Sequence, residues 1–183
     1  MNNFEEIKKE IERLMTNSVI KTDAQHSQTT LKWLLKLKPD ADEALQIAAL
    51  GHDIERGFHG ANRINEGQWG DKYSNYEEYK QAHANESGRI IAELLKKYNF
   101  DEKFIQLVKT LVEKHEVGGD EDANYLMDAD SLSFFDSNFD PYLVNHGKEN
   151  GKFKIEYMYN RMMDRAKEIG KELYKKCLEK IKI

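Results

Sequence analysis

Ala48-Ala49-Leu50-Gly51-His52-Asp53-Ile54-Glu55-Arg56 begins apolar and finishes ionisable. Upstream of it, Ala44, Leu45 and Ile47 continue the apolar character, and the spacing predicts a buried, central helix over residues 41–54. Its polar end then carries His52 and Asp53. An imidazole followed directly by a carboxylate is costly at the edge of a buried helix unless something pairs with both. A divalent cation would do so: histidine offers a neutral nitrogen and aspartate offers charge, a donor set suited to a hard-to-borderline ion.

Four more residues of the same chemistry stand in helical contexts: His26, His83, His115 and Asp130. Each sits in distinctive local wording. His26-Ser27-Gln28-Thr29-Thr30 is followed by Gly51-His52-Asp53-Ile54-Glu55-Arg56. Next come His83-Ala84-Asn85-Glu86-Ser87-Gly88-Arg89-Ile90-Ile91 and Asp128-Ala129-Asp130-Ser131-Leu132. In this order the set resembles the HD-domain metal-dependent phosphohydrolase superfamily, over roughly residues 20–140. The resemblance implies an all-α, compact helical bundle of about six to eight helices. Residues 1–183 are expected to form a single domain of this type.

Composition is consistent with that expectation. A chain of 183 residues is long enough for one substantial core. The net charge of −5 argues against general attraction to nucleic acid or anionic membrane. Cys177 is the one cysteine, so no internal disulfide can form, as suits a reducing cytoplasm. The start, Met1-Asn2-Asn3-Phe4-Glu5-Glu6, lacks the basic and apolar regions of a signal peptide. No apolar run approaches the ~20 residues of a membrane span. A cytoplasmic protein is expected, and a homodimer is compatible with everything above.

Along the chain, Phe4, Ile7, Ile11 and Leu14 predict an amphipathic helix over 3–15. A second helix over 26–38 is opened by His26 and closed before Pro39; both Pro39 and Pro141 read as helix boundaries. Residues 56–75 lose apolar periodicity and carry four glycines, with Phe58, Trp69 and Tyr73 among them. They read as an ordered lid whose aromatics either stack on a base or anchor the loop by burial. Helices are expected over 76–98, over 101–115 with Asp101 as cap, and over 121–136. A looped stretch with Pro141, Gly147 and Gly151 should follow, then one long helix over 152–181. No strand alternation or internal repeat is present.

The resemblance assigns roles to the ionisable residues. His26, His52, Asp53 and Asp130 would hold a first ion. His83 and His115 would add a second, with Asp53 bridging. Asp128 competes with Asp130, since two residues apart on a helix cannot share a face; the family wording puts the ligand at Asp130. Imidazoles and carboxylates without thiolate favour Mn, Fe, Co or Ni, with Mg admissible if one site fills. The reaction implied is attack of metal-activated water on a small-molecule phosphate ester or anhydride, with a nucleotide the favoured substrate. Asp53, Glu55 and Arg56 are the catalytic candidates. Arg56, Arg63, Lys80 and Arg161 are the candidate phosphate contacts, although a solvated charge is the commoner reading for each taken singly. Glu55 and Glu116 follow ligand histidines and could orient them. His59 and His146 read as surface residues or lid contacts. The chain lacks the Gly-Tyr-Pro element of cyclic dinucleotide cleavage and the Glu-Asp pair of alarmone hydrolases. The His83–His115 pair is similar to that of two-iron hydrolases of dinucleoside polyphosphates. Two other readings share the pattern: an HD-type two-iron oxygenase, and a metal-binding domain without turnover.

Overall fold

The apolar stretch from Ala44 to Leu50 becomes the centre of the molecule. In the computed structural model, which describes residues 3–63 and 76–182, it forms α3 (Glu43–Gly51), with Asp42 capping its start by accepting Leu45 N–H at 2.8 Å. Ala44, Leu45, Ile47, Ala48, Ala49, Leu50 and Gly51 are all buried, as a helix apolar on every side must be. Around it pack α1 (Asn3–Met15), α2 (Thr22–Leu37), α6 (Glu102–Lys114) and α7 (Glu121–Ser133). The α5 helix (Tyr76–Lys97) covers α6. Asp101 and Asp120 cap α6 and α7 by accepting the Phe104 and Ala123 N–H groups, both at 3.0 Å. Side-chain caps of this kind contribute about 1 kcal/mol each. The described residues form helices and turns and contain no strand, so the all-α expectation holds.

Several expected boundaries move. The helix predicted over 41–54 stops at Gly51, turns at His52-Asp53, and restarts as α4 (Ile54–His59). The turn redirects the chain by one short step and leaves both ionisable side chains pointing into the protein. Gly57 lets α4 cross the end of α1 closely, since a Cβ there would overlap the Leu14 carbonyl. The expected lid is therefore helical at its start, with a 3₁₀ turn at Gly60–Asn62. Trp69 and Tyr73 lie outside the described residues. His26 does not open its helix, because α2 begins at Thr22 and puts His26 one turn inside.

The largest correction is C-terminal. After α7 the chain does not loop. It passes through a π-helical segment, Phe134–Asn138, into α8 (Phe139–Arg161), which kinks at Gly147 (φ 78°). Pro141 is the third residue of α8, where its missing N–H is tolerated. The single helix expected over 152–181 is broken at Met162, which has extended backbone (ψ 150°), and resumes as α9 (Asp164–Lys182). The break has a tertiary cause. Asp128 on α7 accepts the Met163 N–H at 2.9 Å, and Arg161 turns inward to Asp130. No described helix is long and apolar enough to cross a membrane.

Candidate metal centre

Four imidazoles and two carboxylates converge where α2, the α3–α4 turn, α5, α6 and α7 meet. His26, His52, His83 and His115 are each at most 4% exposed, and Asp53 and Asp130 at most 5%. The four rings form a chain, with neighbouring centroids 5.2, 5.1 and 5.5 Å apart in the order His26, His52, His115, His83.

In every ring Nδ1 is engaged on the outer side. His52 Nδ1 lies 2.9 Å from the Ala49 carbonyl and His115 Nδ1 lies 2.7 Å from the Val112 carbonyl. A carbonyl can only accept, so both nitrogens carry the proton, and in the neutral ring the lone pair is on Nε2. His26 Nδ1 meets Ser133 Oγ at 2.9 Å, and that hydroxyl donates to the His26 carbonyl at 3.0 Å. His83 Nδ1 donates to Glu55 Oε1 at 2.8 Å. Four Nε2 atoms are thereby aimed inward by partners behind them, the arrangement that orients metal-binding histidines.

Asp53 lies between two pairs. His26 and His52 Nε2 are 4.0 and 3.7 Å from its Oδ2. His83 and His115 Nε2 are 2.6 and 3.9 Å from its Oδ1. Two groups, His26–His52–Asp53 and Asp53–His83–His115, each bring three donor atoms within 4.8 Å of one another. Asp130 Oδ1 adds a further oxygen 2.9 Å from His26 Nε2 and 3.6 Å from His52 Nε2. The donor chemistry and its inward aim fit one or two divalent ions.

Electrostatics fit this in part: the carboxylates and His115 are in the ligand form, while His83 holds a proton that an ion would have to displace. Burial alone would raise the Asp53 carboxyl, but Arg56 and the neighbouring histidines outweigh it and hold it well below the usual carboxylate range. Burial opposes ionisation of Asp130 as well, and Arg161, His26 and His52 overcome it. Desolvation would lower His83, yet Asp53 and Glu55 raise it to about 10. His115 is pushed down to about 4 by burial and stays a neutral imidazole.

The other candidates divide. Glu55, which could have been a surface acid, is fully buried and positions His83. Glu116 accepts from Arg161 Nη1 at 2.5 Å, and although burial would raise it, Arg161 brings it down to about 2. Arg161 also donates to Asp130 and to Ser131 Oγ. A cleft opens over the cluster, and Arg56, Arg63 and the unanticipated Lys154 line it beside His26, Asp53 and Asp130. Lys80 and Arg161 do not line this cleft. The Lys80 ammonium is 2.9 Å from Glu77 Oε2, donates to Tyr157 Oη and lies 4.1 Å from that ring's centroid. Phe58 is half exposed and away from the cleft wall, so it neither anchors by burial nor faces a ligand there. His59 pairs with Glu86 at 2.7 Å. His146 is exposed, as expected, stacks on Tyr142 and lines the cleft.

Sequence comparison places residues 4–182 on a single family profile, described as a domain of unknown function, DUF4202. The chain belongs to the DUF4202 family. No curated protein and no solved structure matches it. For this DUF4202 chain the site itself is therefore the main guide to chemistry. Asp23 and Lys154 were missed in the linear reading. Asp23 had a signal, standing three residues before His26 on the same helix and hence on nearly the same face. Lys154 had none.

Proposed function

We propose that this chain is a metal-dependent phosphohydrolase of the HD-domain type, acting on a small phosphate ester or anhydride, with nucleotides the favoured class. The observation that carries the reading is Asp53, whose two oxygens face two separate pairs of histidines under a cleft lined by cations. His26, His52, Asp53 and Asp130 would hold one ion, and Asp53, His83 and His115 a second. Ions there supply Lewis acidity toward a water and a phosphoryl oxygen. The donor set, without thiolate, suits Mn, Fe, Co or Ni, and Mg for a single ion.

The chain's own groups do the rest. Arg56, Arg63 and Lys154 would bind the phosphoryl oxygens and offset the charge that builds on them. Glu55 keeps His83 in one orientation. Arg161, bound to Asp130 and Glu116, fixes the carboxylate that faces His26. In this reading Arg161 is a positioning group, and Lys80 pairs with Glu77 and Tyr157 in place of a phosphate.

The test is metal analysis after reconstitution with Mn or anaerobic Fe, followed by phosphate release from a nucleotide panel. Two ions per wild-type chain and about one in His83→Ala/His115→Ala, with turnover lost more than stability, is the expected result. Wild type holding one ion ends the two-ion proposal. Dioxygen consumption without phosphate release would replace the hydrolase with an oxygenase. Metal retention without either would leave a binding domain.

A further inference from the structure

Asp23 is a buried carboxylate outside the histidine cluster. It is 1% exposed in the first turn of α2. A buried carboxylate is costly unless its charge and lone pairs are met. Here Ser18 Oγ donates to Oδ2 at 2.5 Å. Arg56 Nη1 lies 3.3 Å from Oδ1, and Arg63 Nη1 lies 3.5 Å from Oδ2. The same Arg56 nitrogen is 3.1 Å from Asp53 Oδ2. Asp23, Arg56, Arg63 and Asp53 all line one cleft.

Two features of this arrangement matter. Both contacts to Asp23 use a single guanidinium nitrogen, whereas a guanidinium carries five N–H donors in a planar fork. The remaining edges can address the oxygens of a tetrahedral anion in the cleft. Asp23 also adds negative charge to a cleft meant for an anion. On charge alone it is a liability, reducing two positive charges to one. Its gain is geometric: it holds two long side chains in place before the anion arrives, so less rotamer freedom is lost on binding.

From this we infer that Asp23 is a positioning residue, which sets Arg56 and Arg63 as a paired anchor for a phosphate group beside the histidine cluster. The inference deepens the phosphohydrolase reading: its binding arm rests on the metal-loaded chain and its kinetic arm on turnover.

Charge and position predict opposite signs, so one variant separates them. In Asp23→Asn a charge effect would tighten anion binding, while loss of positioning would weaken it. The probe is inorganic phosphate, titrated calorimetrically into the chain at saturating Mn. The expected result for Asp23→Asn is a Kd about tenfold higher, with Mn content and circular dichroism unchanged. In turnover the same variant should raise KM by a similar factor and leave kcat within about threefold. Unchanged or tighter phosphate binding overturns the inference, as does a wild type that binds no phosphate. Should Asp23→Asn fail to fold, Arg63→Ala takes its place, and unchanged phosphate affinity there is equally fatal. If no substrate is turned over but the phosphate pattern holds, the hydrolase reading fails and the anchor stands.

Discussion

Asp128 and Asp130 are two residues apart on α7 and serve opposite faces. Asp130 faces His26 and His52, while Asp128 accepts the Met163 N–H at the break between α8 and α9. Burial raises the Asp128 carboxyl to about 6. A carboxyl that titrates higher folded than unfolded binds its proton more tightly in the native state. Asp128 therefore costs stability above about pH 6, and the cost fades as the pH falls toward 4. Asp128→Asn keeps an oxygen for Met163 and loses the charge. It should raise Tm by roughly 2–4 °C near pH 8, with no gain near pH 4. Its metal content should match wild type, whereas Asp130→Ala should lose metal. Thermal melts at both pH values and elemental analysis check this, and metal loss in the Asn variant would reverse the two roles. The histidines and Asp130 were legible because each sits in recognisable local wording. The groups around them were less so: Ser133 orients His26 from far along the chain and Lys154 reaches the cleft from α8, neither with a periodic trace, whereas Asp23 stands at helical spacing from His26.

Elements built on an apolar stripe could be read from the chain. The pattern of Phe4, Ile7 and Ile11 made α1, and the apolar run from Ala44 made α3. Elements shaped by tertiary contacts could not. Nothing local in Met162-Met163 stops a helix; Asp128 and Arg161 do. The glycines and proline of 137–151 suggested a loop, yet packing of Phe139, Ile155 and Met158 into the core keeps this stretch helical on both sides of the kink at Gly147. The short α4 was hidden because its six residues carry too little periodicity. Gly57 gives the element-scale prediction. A methyl group there meets backbone of α1, which cannot swing aside as a flexible side chain would. Gly57→Ala should cost about 2 kcal/mol of stability, and it should also weaken phosphate binding because Arg56 shares α4. Urea denaturation with unchanged midpoint would show that α4 is not held by this crossing.

At the scale of the molecule, the six donor side chains come from α2, the α3–α4 turn, α5, the end of α6, and α7. An ion held by them ties together segments that span more than one hundred residues of chain. Metal should therefore stabilise the whole fold, by about 2.7 kcal/mol at a free concentration one hundred times Kd. Cys177 is a natural reporter. It is 3% exposed on α9, and burial pushes its thiol up to about 12. It should resist iodoacetamide in the folded protein and react on global opening. Mn should slow that labelling and raise Tm, and chelator should reverse both. Labelling at the rate of a free thiol in the folded state would count against a cooperative unit that includes α9.

The π segment at Phe134–Asn138 has a consequence of another kind. It joins α7 to the first part of α8 without a break in helical winding, so residue count sets the rotational phase of residues 139–146, as far as the kink at Gly147. Removing one residue turns the following helix by about 100°. Tyr142 and His146 lie on that stretch and line the cleft, and their approach to it depends on that phase. This stretch should then accept changes of side chain but not of length. Ser137→Ala should behave much like wild type, whereas deletion of Ser137 should keep a helical spectrum and weaken phosphate binding in the cleft. Equal phosphate affinity in the two proteins would show that α8 finds its seat by packing alone.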